Sequence, residues 1–458
     1  MNLADLKKSQ LHFVGIGGSG MSGLARIAIA MGIQTSGSDA KSSQTLETLT
    51  TLGAKTFIGH DKSHIQAGQI VVTSSAIADS NPEVIAAKEL GLPILSRAQT
   101  LALFMEGKKS IAVAGTHGKT TTTSMLTVAF QNAGLDPSFA IGGTINRGGT
   151  NAHYGSGEFF IAEADESDGS FLAYRPYGAI ITNIELDHVD NFPNLAAIMD
   201  LFENFVNSIQ PNGFLVAGID SPGVVELLKK TTRTDLNLIT YGDKTGDLTY
   251  SRTSFMPTGS FCKVAHKGKI LGELELAVPG EHNIQNALAA IGAGLASKVA
   301  VQSLMSGLTS FTGARRRFEI KGVAKKITVI DDYGHHPTEI TATLAAAKNF
   351  AGSGKVIVVF QPHRYSRTAA FASEFSKSLL VADQVYLLEV YSAGENPIPG
   401  VSSKTIADKV PGSIYNPSMV EVAAAVAQSA KPGDVIITLG AGDVSTLAPV
   451  ILDSINAL

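Results

Sequence analysis

Short apolar runs alternate with helical or polar stretches along the whole chain. The first run, Leu11–Ile16, ends in glycines and is followed by apolar residues at helical spacing, among them Met21, Leu24 and Ile27. A strand, a turn and an amphipathic helix in this order predict a βαβ unit with parallel strands. The other strand candidates are Thr56–Ile58, Ile70–Thr73, Ile94–Leu95, Ser110–Ala114, Phe159–Ala162, Ala179–Thr182, Ile327–Ile330, Val356–Phe360, Gln384–Leu388 and Val435–Leu439.

These elements fall into three predicted α/β units. At 458 residues the chain exceeds what one hydrophobic core usually organises, which favours about three domains. A lysine pair at 108–109 precedes the strand that opens the second unit. The stretch Phe311–Arg317, with a glycine and three consecutive arginines, precedes the third. We therefore predict an α/β protein with domains at residues 1–107, 108–313 and 314–458.

Composition and charge exclude several classes of protein. Hydrophobic residues make up 44% of the chain and charged residues 17%, as in a folded globular protein. The net charge of −4 gives no bulk positive field, so we expect no nucleic-acid or membrane partner. Cys262 is the single cysteine, which rules out an intrachain disulfide. The chain has no signal-type apolar core and no run of roughly 18 apolar residues, so we expect a soluble cytoplasmic protein.

The strongest local signal is the segment Gly115–Thr120, which stands between a predicted strand and a predicted helix. Backbone N–H groups, the helix N-terminus and the Lys119 ammonium can all face a phosphate there. Thr120 is placed to bind Mg²⁺. The strict P-loop pattern would require glycine at position 113, where this chain has Val113. The order of strand, loop and helix still predicts a nucleotide site.

Acidic residues follow the next two predicted strands, where the ends of parallel strands face a ligand crevice. One of these carboxylates should complete the Mg²⁺ sphere that Thr120 begins, because Mg²⁺ takes oxygen ligands beside nucleotide phosphates. Spacing alone leaves a metal contact by His188 open. The candidates are Glu163, Asp165, Glu166 and Asp168, then Glu185, Asp187 and His188.

A second glycine loop follows the first strand and matches G-x-G-x-x-G, with Asp39 at the distance of a ribose-binding acid. Taken alone, this loop indicates NAD. A dehydrogenase has no use for the loop Gly115–Thr120 and the acids that follow it, whereas a different diphosphate ligand, such as a UDP-sugar, fits both loops. The candidate residues for this ligand, which would be UDP-sugar-binding if the ligand is a UDP-sugar, are Gly15, Gly17, Gly18, Ser19, Gly20, Met21 and Asp39.

Together these motifs resemble those of the Mur ligase family. In the first two units the resemblance rests on His12–Met21, Gly115–Thr123 and Glu163–Asp168. In the third unit, Asp331–Glu339 and Phe360–Thr368 resemble the branch of the family that adds L-alanine. The resemblance spans nearly the whole chain. It implies a Rossmann-like N-terminal domain that binds UDP, a central P-loop domain that binds ATP, and a Rossmann-like C-terminal domain that recruits the amino acid.

The resemblance further implies an ATP-dependent ligase that joins L-alanine to the lactyl carboxylate of UDP-N-acetylmuramate through an acyl phosphate, in bacterial peptidoglycan synthesis. The implied catalytic residues are Lys119, Glu163 and His188. Thr120 and Glu163 would hold one Mg²⁺, and Glu163 with His188 a second. The implied ATP-binding residues are Gly115, Thr116, His117, Gly118, Lys119, Thr120, Thr121 and Asn286, the last at the adenine.

His335, Arg364 and Arg367 resemble positions that surround the incoming amino acid, and an arginine can pair bidentately with its carboxylate. The closest alternative is the recycling ligase that attaches a preformed tripeptide to the same UDP-sugar, because both share the first two domains. A nicotinamide dehydrogenase and a nucleotide-binding regulator without chemistry are alternatives from other classes. NADH oxidation, or ATP binding without turnover, would identify them. The general base for the amine stays unassigned.

Overall fold

The structure, a computed structural model, describes residues 1–146 and 149–458 and contains three separate sheets. The strands Val356–Phe360 and Val435–Leu439 have the predicted bounds, and the other predicted strands differ by one or two residues at one or both ends. The first strand ends at Val14 rather than Ile16, because Gly15 turns the chain with a φ of +77°. The predicted α/β architecture is confirmed.

The N-terminal part forms a five-stranded parallel sheet. Its elements are α1 (Leu3–Lys7), β1 (Gln10–Val14), α2 (Ser19–Ala30), β2 (Gln34–Asp39), α3 (Gln44–Thr51), β3 (Lys55–Ile58), β4 (Gln69–Thr73), α4 (Pro82–Glu89), β5 (Ile94–Ser96) and α5 (Arg97–Phe104). The strand order is β3-β2-β1-β4-β5. The order reverses beside β1, so the glycine loop that follows this strand opens at the switch point where such sheets bind ligands.

The central part carries the largest sheet, with ten strands in the described residues between 109 and 309. Its elements are β6 (Lys109–Ala114), α6 (Lys119–Asn132), β7 (Ser138–Ala140), β8 (Ala152–His153), β9 (Phe159–Glu163), β10 (Gly178–Ile181), α7 (Leu195–Ser208), β11 (Phe214–Gly218), α8 (Pro222–Lys230), β12 (Asn237–Tyr241), β13 (Leu248–Met256), β14 (Gly259–His266), β15 (Lys269–Leu276), α9 (Glu281–Ala296) and α10 (Val301–Thr309). The order is β15-β14-β13-β12-β11-β10-β6-β9-β7-β8. Strand β6 lies between β10 and β9, so the loop after β6 faces the ends of both.

The C-terminal part forms a six-stranded sheet in the order β16-β17-β21-β18-β19-β20. Its elements are β16 (Glu319–Ala324), β17 (Ile327–Asp332), α11 (Pro337–Ala351), β18 (Val356–Phe360), α12 (Tyr365–Leu379), β19 (Gln384–Leu387), α13 (Lys404–Ala407), β20 (Ile414–Tyr415), α14 (Met419–Ser429), β21 (Val435–Leu439) and α15 (Leu447–Ala457). Only β16, at the edge, runs antiparallel to its neighbour.

The hydrophobic cores follow these sheets. One apolar cluster continues from Leu6 in the N-terminal part to Leu227 in the central part, so the first two units pack on each other through buried side chains. Two further clusters cover the two faces of the C-terminal sheet. In residues 1–146 and 149–458, no helix is both long and apolar enough to cross a membrane. The domain boundaries at 107 and 313 stay a prediction.

Candidate active site

All three units contribute to one cavity of about 1280 Å³. The walls include the glycine loop after β1, the phosphate loop after β6, the ends of β9 and β17 with the loops that follow them, and the segment after β18. Representative lining residues are Ser19, Lys119, Glu163, Arg317, His335 and Arg367. Predicted site residues that are far apart in the sequence therefore meet in one place.

The phosphate loop takes its shape from two glycines with positive φ. Gly115 has a φ of +133°, and a Cβ atom there would lie 2.0 Å from Thr182 Oγ1. Gly118, the N-cap of α6, has a φ of +81°, and a Cβ there would lie 2.7 Å from Asn286 Oδ1. Only glycine fits both positions without displacing these neighbours. The second contact places the predicted adenine residue, Asn286, against the loop.

Lys119 is the first residue of α6 and its ammonium group lies inside the loop. Nζ donates to the carbonyl oxygens of Gly115 at 2.7 Å and Thr116 at 3.1 Å, and to Glu166 Oε1 at 2.9 Å. Burial lowers the pKa of Lys119, but the carboxylates of Glu166 and Asp165 outweigh this effect and the pKa is raised. The lysine therefore stays cationic at the position where a phosphate would meet the helix N-terminus.

Thr120 and Glu163 form a pair of oxygen donors beside Lys119. Thr120 Oγ1 donates to Glu163 Oε1 at 3.1 Å, and Glu163 Oε2 accepts from the backbone N–H of Gly142 at 2.7 Å. Burial raises the pKa of Glu163, although Lys119 acts in the opposite direction. A hydroxyl and a carboxylate side by side suit a hard cation such as Mg²⁺, whose charge would favour the ionised carboxylate.

His188 follows β10 and has a left-handed φ of +51°, which is uncommon for a residue with a side chain. Its Nε2 lies 3.4 Å from Glu166 Oε1 and 3.7 Å from Asp187 Oδ2. Within the part of the chain that the structure describes, no ion pair joins His188 to Glu163. Glu166 is thus the acid that contacts both Lys119 and His188, a position that the sequence analysis does not single out.

The two arginines predicted at the amino-acid site pair with carboxylates of the central unit. Arg367 Nε donates to Asp187 Oδ1 at 2.9 Å, and both side chains are buried. Arg364 pairs with Asp190 and lies 3.8 Å from Glu395. Burial raises the pKa of Asp187, but Arg367 and His188 outweigh it and the pKa is well below its usual range. These ion pairs join the C-terminal unit to the segment that follows β10.

His335, the third predicted amino-acid residue, lies in the loop after β17. Its Nδ1 is 3.1 Å from the carbonyl oxygen of Tyr333, and its backbone N–H donates to Glu339 Oε2 at 3.1 Å. Burial lowers the pKa of His335 to about 3, which leaves the imidazole neutral at ordinary pH. A neutral imidazole on the cavity wall can form a hydrogen bond with a ligand.

The N-terminal glycine loop is held by Asp39 at the end of β2. The backbone N–H of Gly17 donates to Asp39 Oδ2 at 2.9 Å, and a Cβ on Gly17 would lie 2.8 Å from the same oxygen. The central unit reaches this loop, since Asn151 Nδ2 donates to the carbonyl oxygen of Ser19 at 2.7 Å. Gly15, Gly18, Ser19, Gly20, Met21 and Asp39 all line the cavity.

Arg317 is a further cavity residue that the sequence analysis names only as part of a domain boundary. Its Nη1 lies 3.4 Å from Glu339 Oε1, and its guanidinium lies 5.2 Å from the centre of the Tyr333 ring. Burial lowers the pKa of Arg317, but Glu339 outweighs this effect and the pKa is raised. The sequence feature that could have identified Arg317 is the run of three consecutive arginines before a strand, because a buried arginine needs an acidic or anionic partner.

Family models match the chain in three consecutive pieces. The Mur ligase family catalytic domain matches residues 10–109, the Mur ligase middle domain residues 113–294, and the glutamate ligase domain of Mur ligases residues 316–442. A protein of Acidothermus cellulolyticus named UDP-N-acetylmuramate--L-alanine ligase is 46% identical over 97% of this chain and 94% of its own length. The chain belongs to the Mur ligase family.

Other relatives of this Mur ligase carry related names. A UDP-N-acetylmuramate--L-alanine ligase of Mycolicibacterium vanbaalenii is 47% identical over 98% of this chain and 96% of its own. The crystal structure of UDP-N-acetylmuramate-alanine ligase from Thermotoga maritima matches with a TM-score of 0.82 at 30% identity, covering 98% of this chain and 99% of that one. A murein peptide ligase from Psychrobacter arcticus matches with a TM-score of 0.72 at 26% identity over the same shares.

Proposed function

We propose that this Mur ligase forms the amide bond between L-alanine and the lactyl carboxylate of UDP-N-acetylmuramate, at the expense of ATP, in the cytoplasmic synthesis of bacterial peptidoglycan precursors. The observation that carries the proposal is the relationship to proteins of that name, which extends at 46 and 47% identity over 97 and 98% of the chain. It therefore includes the C-terminal unit, where a choice between alanine and a tripeptide would be made.

Each proposed domain takes one substrate. Residues 1–107 bind the UDP-sugar at the glycine loop after β1, residues 108–313 bind ATP at the loop after β6, and residues 314–458 bind alanine near His335 and Arg367. Loops from all three line the same cavity, which supports this assignment. The lactyl carboxylate, the γ-phosphate of ATP and the amine of alanine can then react within this one cavity.

The chemistry requires activation, since a carboxylate is a poor acyl donor whose leaving group would be oxide. A lactyl carboxylate oxygen attacks the γ-phosphorus of ATP, the bond to ADP breaks, and an acyl phosphate forms. The alanine nitrogen then attacks the acyl carbon, the carbon–oxygen bond to phosphate breaks, and the amine loses a proton. Lys119 stabilises the charge on the transferred phosphoryl oxygens, because it stays cationic beside the loop.

We propose that Thr120 and Glu163 would hold one Mg²⁺ and that Glu163 and His188 would hold a second. The 3.1 Å contact between Thr120 Oγ1 and Glu163 Oε1 supplies two hard oxygen donors at the mouth of the phosphate loop. His188 approaches from the end of β10 with its Nε2 3.4 Å from Glu166. Magnesium supplies positive charge that offsets the negative charge of the phosphates.

Ligation assays with the purified protein test this function. ATP, Mg²⁺ and UDP-N-acetylmuramate are supplied with L-alanine, glycine, L-serine or the tripeptide L-alanyl-γ-D-glutamyl-meso-diaminopimelate, and ADP release and the product mass are measured. We expect the highest kcat/KM with L-alanine and no ADP without the UDP-sugar. A preference for the tripeptide would instead identify a murein peptide ligase, the activity named for the Psychrobacter relative.

A further inference from the structure

His117, in the phosphate loop, connects the nucleotide site to the C-terminal unit. Its backbone is fixed to the end of β10: the N–H donates to Asn183 Oδ1 at 2.8 Å, and the carbonyl oxygen accepts from Thr182 Oγ1 at 2.6 Å. Its ring packs against His336, with 4.5 Å between ring centres. The backbone of His117 is thus hydrogen-bonded to the residues that follow β10 in the central unit, while its ring contacts the C-terminal unit.

Both ring nitrogens of His117 face carboxylates. Nε2 lies 3.4 Å from Glu185 Oε2 in the central unit, and Nδ1 lies 3.6 Å from Glu339 Oε1 in the C-terminal unit. Glu185 also accepts from Thr338 Oγ1 at 2.6 Å, which adds a second link between the units. An imidazolium ring has an N–H group on each nitrogen, so the cation can pair with both carboxylates at once. We call His117, Glu185, His336 and Glu339 the His117 cluster.

Glu339 extends the His117 cluster to the cavity wall. Its Oε2 accepts from the backbone N–H of His335 at 3.1 Å, and its Oε1 lies 3.4 Å from Arg317 Nη1. Both partners line the cavity. A shift of the C-terminal unit away from the phosphate loop would therefore break the contact to His117 and move the wall of the proposed alanine site.

We propose that His117 is a positioning residue that couples the nucleotide loop to the closure of the C-terminal unit over the amino-acid site. The inference rests on the proposed function and deepens it. The contact to Glu339 exists only when the two units are together, so it stabilises the closed arrangement selectively. By reciprocity, a nucleotide that orders the loop should raise the affinity for alanine, and this gain should depend on His117.

The test compares His117→Gln, Glu339→Gln and the double variant with the wild type. His117→Gln should raise KM for L-alanine roughly 5- to 150-fold, the usual range for coupled sites. Binding of a non-hydrolysable ATP analogue without alanine, measured by calorimetry, should weaken by a much smaller factor, because His117 contributes its backbone to the phosphate loop and that backbone is kept. Glu339→Gln should act in the same direction, and the double variant should be no worse than the more impaired single variant. His117→Lys, which keeps the charge, should restore part of the affinity.

The matched control is His153→Gln, which removes an exposed histidine paired with Asp136 at 3.1 Å and should change none of these values. An unchanged alanine KM in His117→Gln, additive effects in the double variant, or equal loss of analogue binding would overturn the inference. Wild-type ligation of L-alanine tests the proposed function separately, so the two failures are distinguishable.

Ligand atoms of His117, Glu185 and His336 also lie within 4.8 Å of one another, a spacing that a metal ion could bridge. Ion pairing is favoured over metal binding as the role of the His117 cluster, because each ring nitrogen of His117 faces a carboxylate oxygen. Elemental analysis decides between them. Stoichiometric zinc in the wild type that is absent from His117→Gln would overturn the ion-pair account, and its absence from both supports it.

Discussion

Replacement of Arg367 by alanine should weaken the recognition of L-alanine more than it affects the activation of the sugar carboxylate. The side chain of alanine is small and neutral, so its α-carboxylate is the main charged group that a protein can bind. The Arg367 guanidinium lies on the cavity wall, and Nε and Nη1 are the atoms engaged with Asp187 and His363. A charge-assisted hydrogen bond contributes about 1.5–3 kcal/mol. Removal of the guanidinium should therefore cost about 3 kcal/mol of alanine binding energy, which lowers the affinity for L-alanine roughly a hundredfold.

The structure adds a second effect of the same substitution. Arg367→Ala leaves the buried carboxylate of Asp187 without its arginine, and breaking one side of a buried pair costs about 3–5 kcal/mol. This energy opposes closure of the C-terminal unit as well as alanine binding. The double variant Arg367→Ala with Asp187→Asn removes the unpaired charge and separates the two effects.

Initial rates at rising L-alanine, with saturating ATP and UDP-sugar, give the apparent KM for each variant. We expect a large rise in Arg367→Ala that persists in the double variant, and no change in Arg175→Ala, an exposed arginine. If the double variant regains the wild-type KM, Arg367 serves only as the partner of Asp187 and the assignment to the alanine site is wrong.

Three further changes test other parts of the site. Lys119→Ala should abolish ADP formation, because the ammonium group that stabilises charge on the transferred phosphoryl oxygens is lost, while calorimetry should still detect UDP-sugar binding. Gly17→Val should prevent UDP-sugar binding, because its Cβ would lie 2.7 Å from Leu46 and 2.8 Å from Asp39 and would displace the loop; unchanged calorimetric affinity would refute the loop assignment. Burial lowers the pKa of His117, but Glu185 and Glu339 raise it to about 9, above its ordinary 6.5. The stabilisation by its ion pairs is therefore complete below pH 6.5 and is lost as the pH rises through about 9. Unfolding temperatures of wild type and His117→Gln should differ at pH 6 to 8 and converge above pH 9; a constant difference would contradict this.

Several parallel strands were predictable because they are continuous apolar runs that are buried on both faces. The parallel strand β2, Gln34–Asp39, is mostly polar and was not predicted, and β11 and β12 were not predicted either. Val356–Phe360 and Val435–Leu439 are buried at every position, and their bounds match. The strands β13, β14 and β15, which form one side of the central sheet, were not predicted. In β13, Leu248–Met256, exposed and half-buried residues follow one another from Ser251 onward, so neither an apolar run nor a regular alternation marks the strand.

The loops of the site were predictable because glycine, lysine and threonine at fixed spacing have few other uses. Their long-range partners were not. Arg367 and Asp187 are 180 residues apart in the chain, and no local pattern indicates that they pair. Similarly, Glu166 was one of several acids after β9, and only the fold brings it to both Lys119 and His188.

The most direct test that this ligase forms an acyl phosphate is to follow the oxygen atoms of the lactyl carboxylate. UDP-N-acetylmuramate labelled with ¹⁸O in the lactyl carboxylate is incubated with the protein, ATP, Mg²⁺ and L-alanine, and the released phosphate is analysed by mass spectrometry. Because the carboxylate oxygen attacks phosphorus and later leaves with it, each phosphate should carry one labelled oxygen for every alanyl product formed. Alanyl product accompanied by unlabelled phosphate would contradict the account.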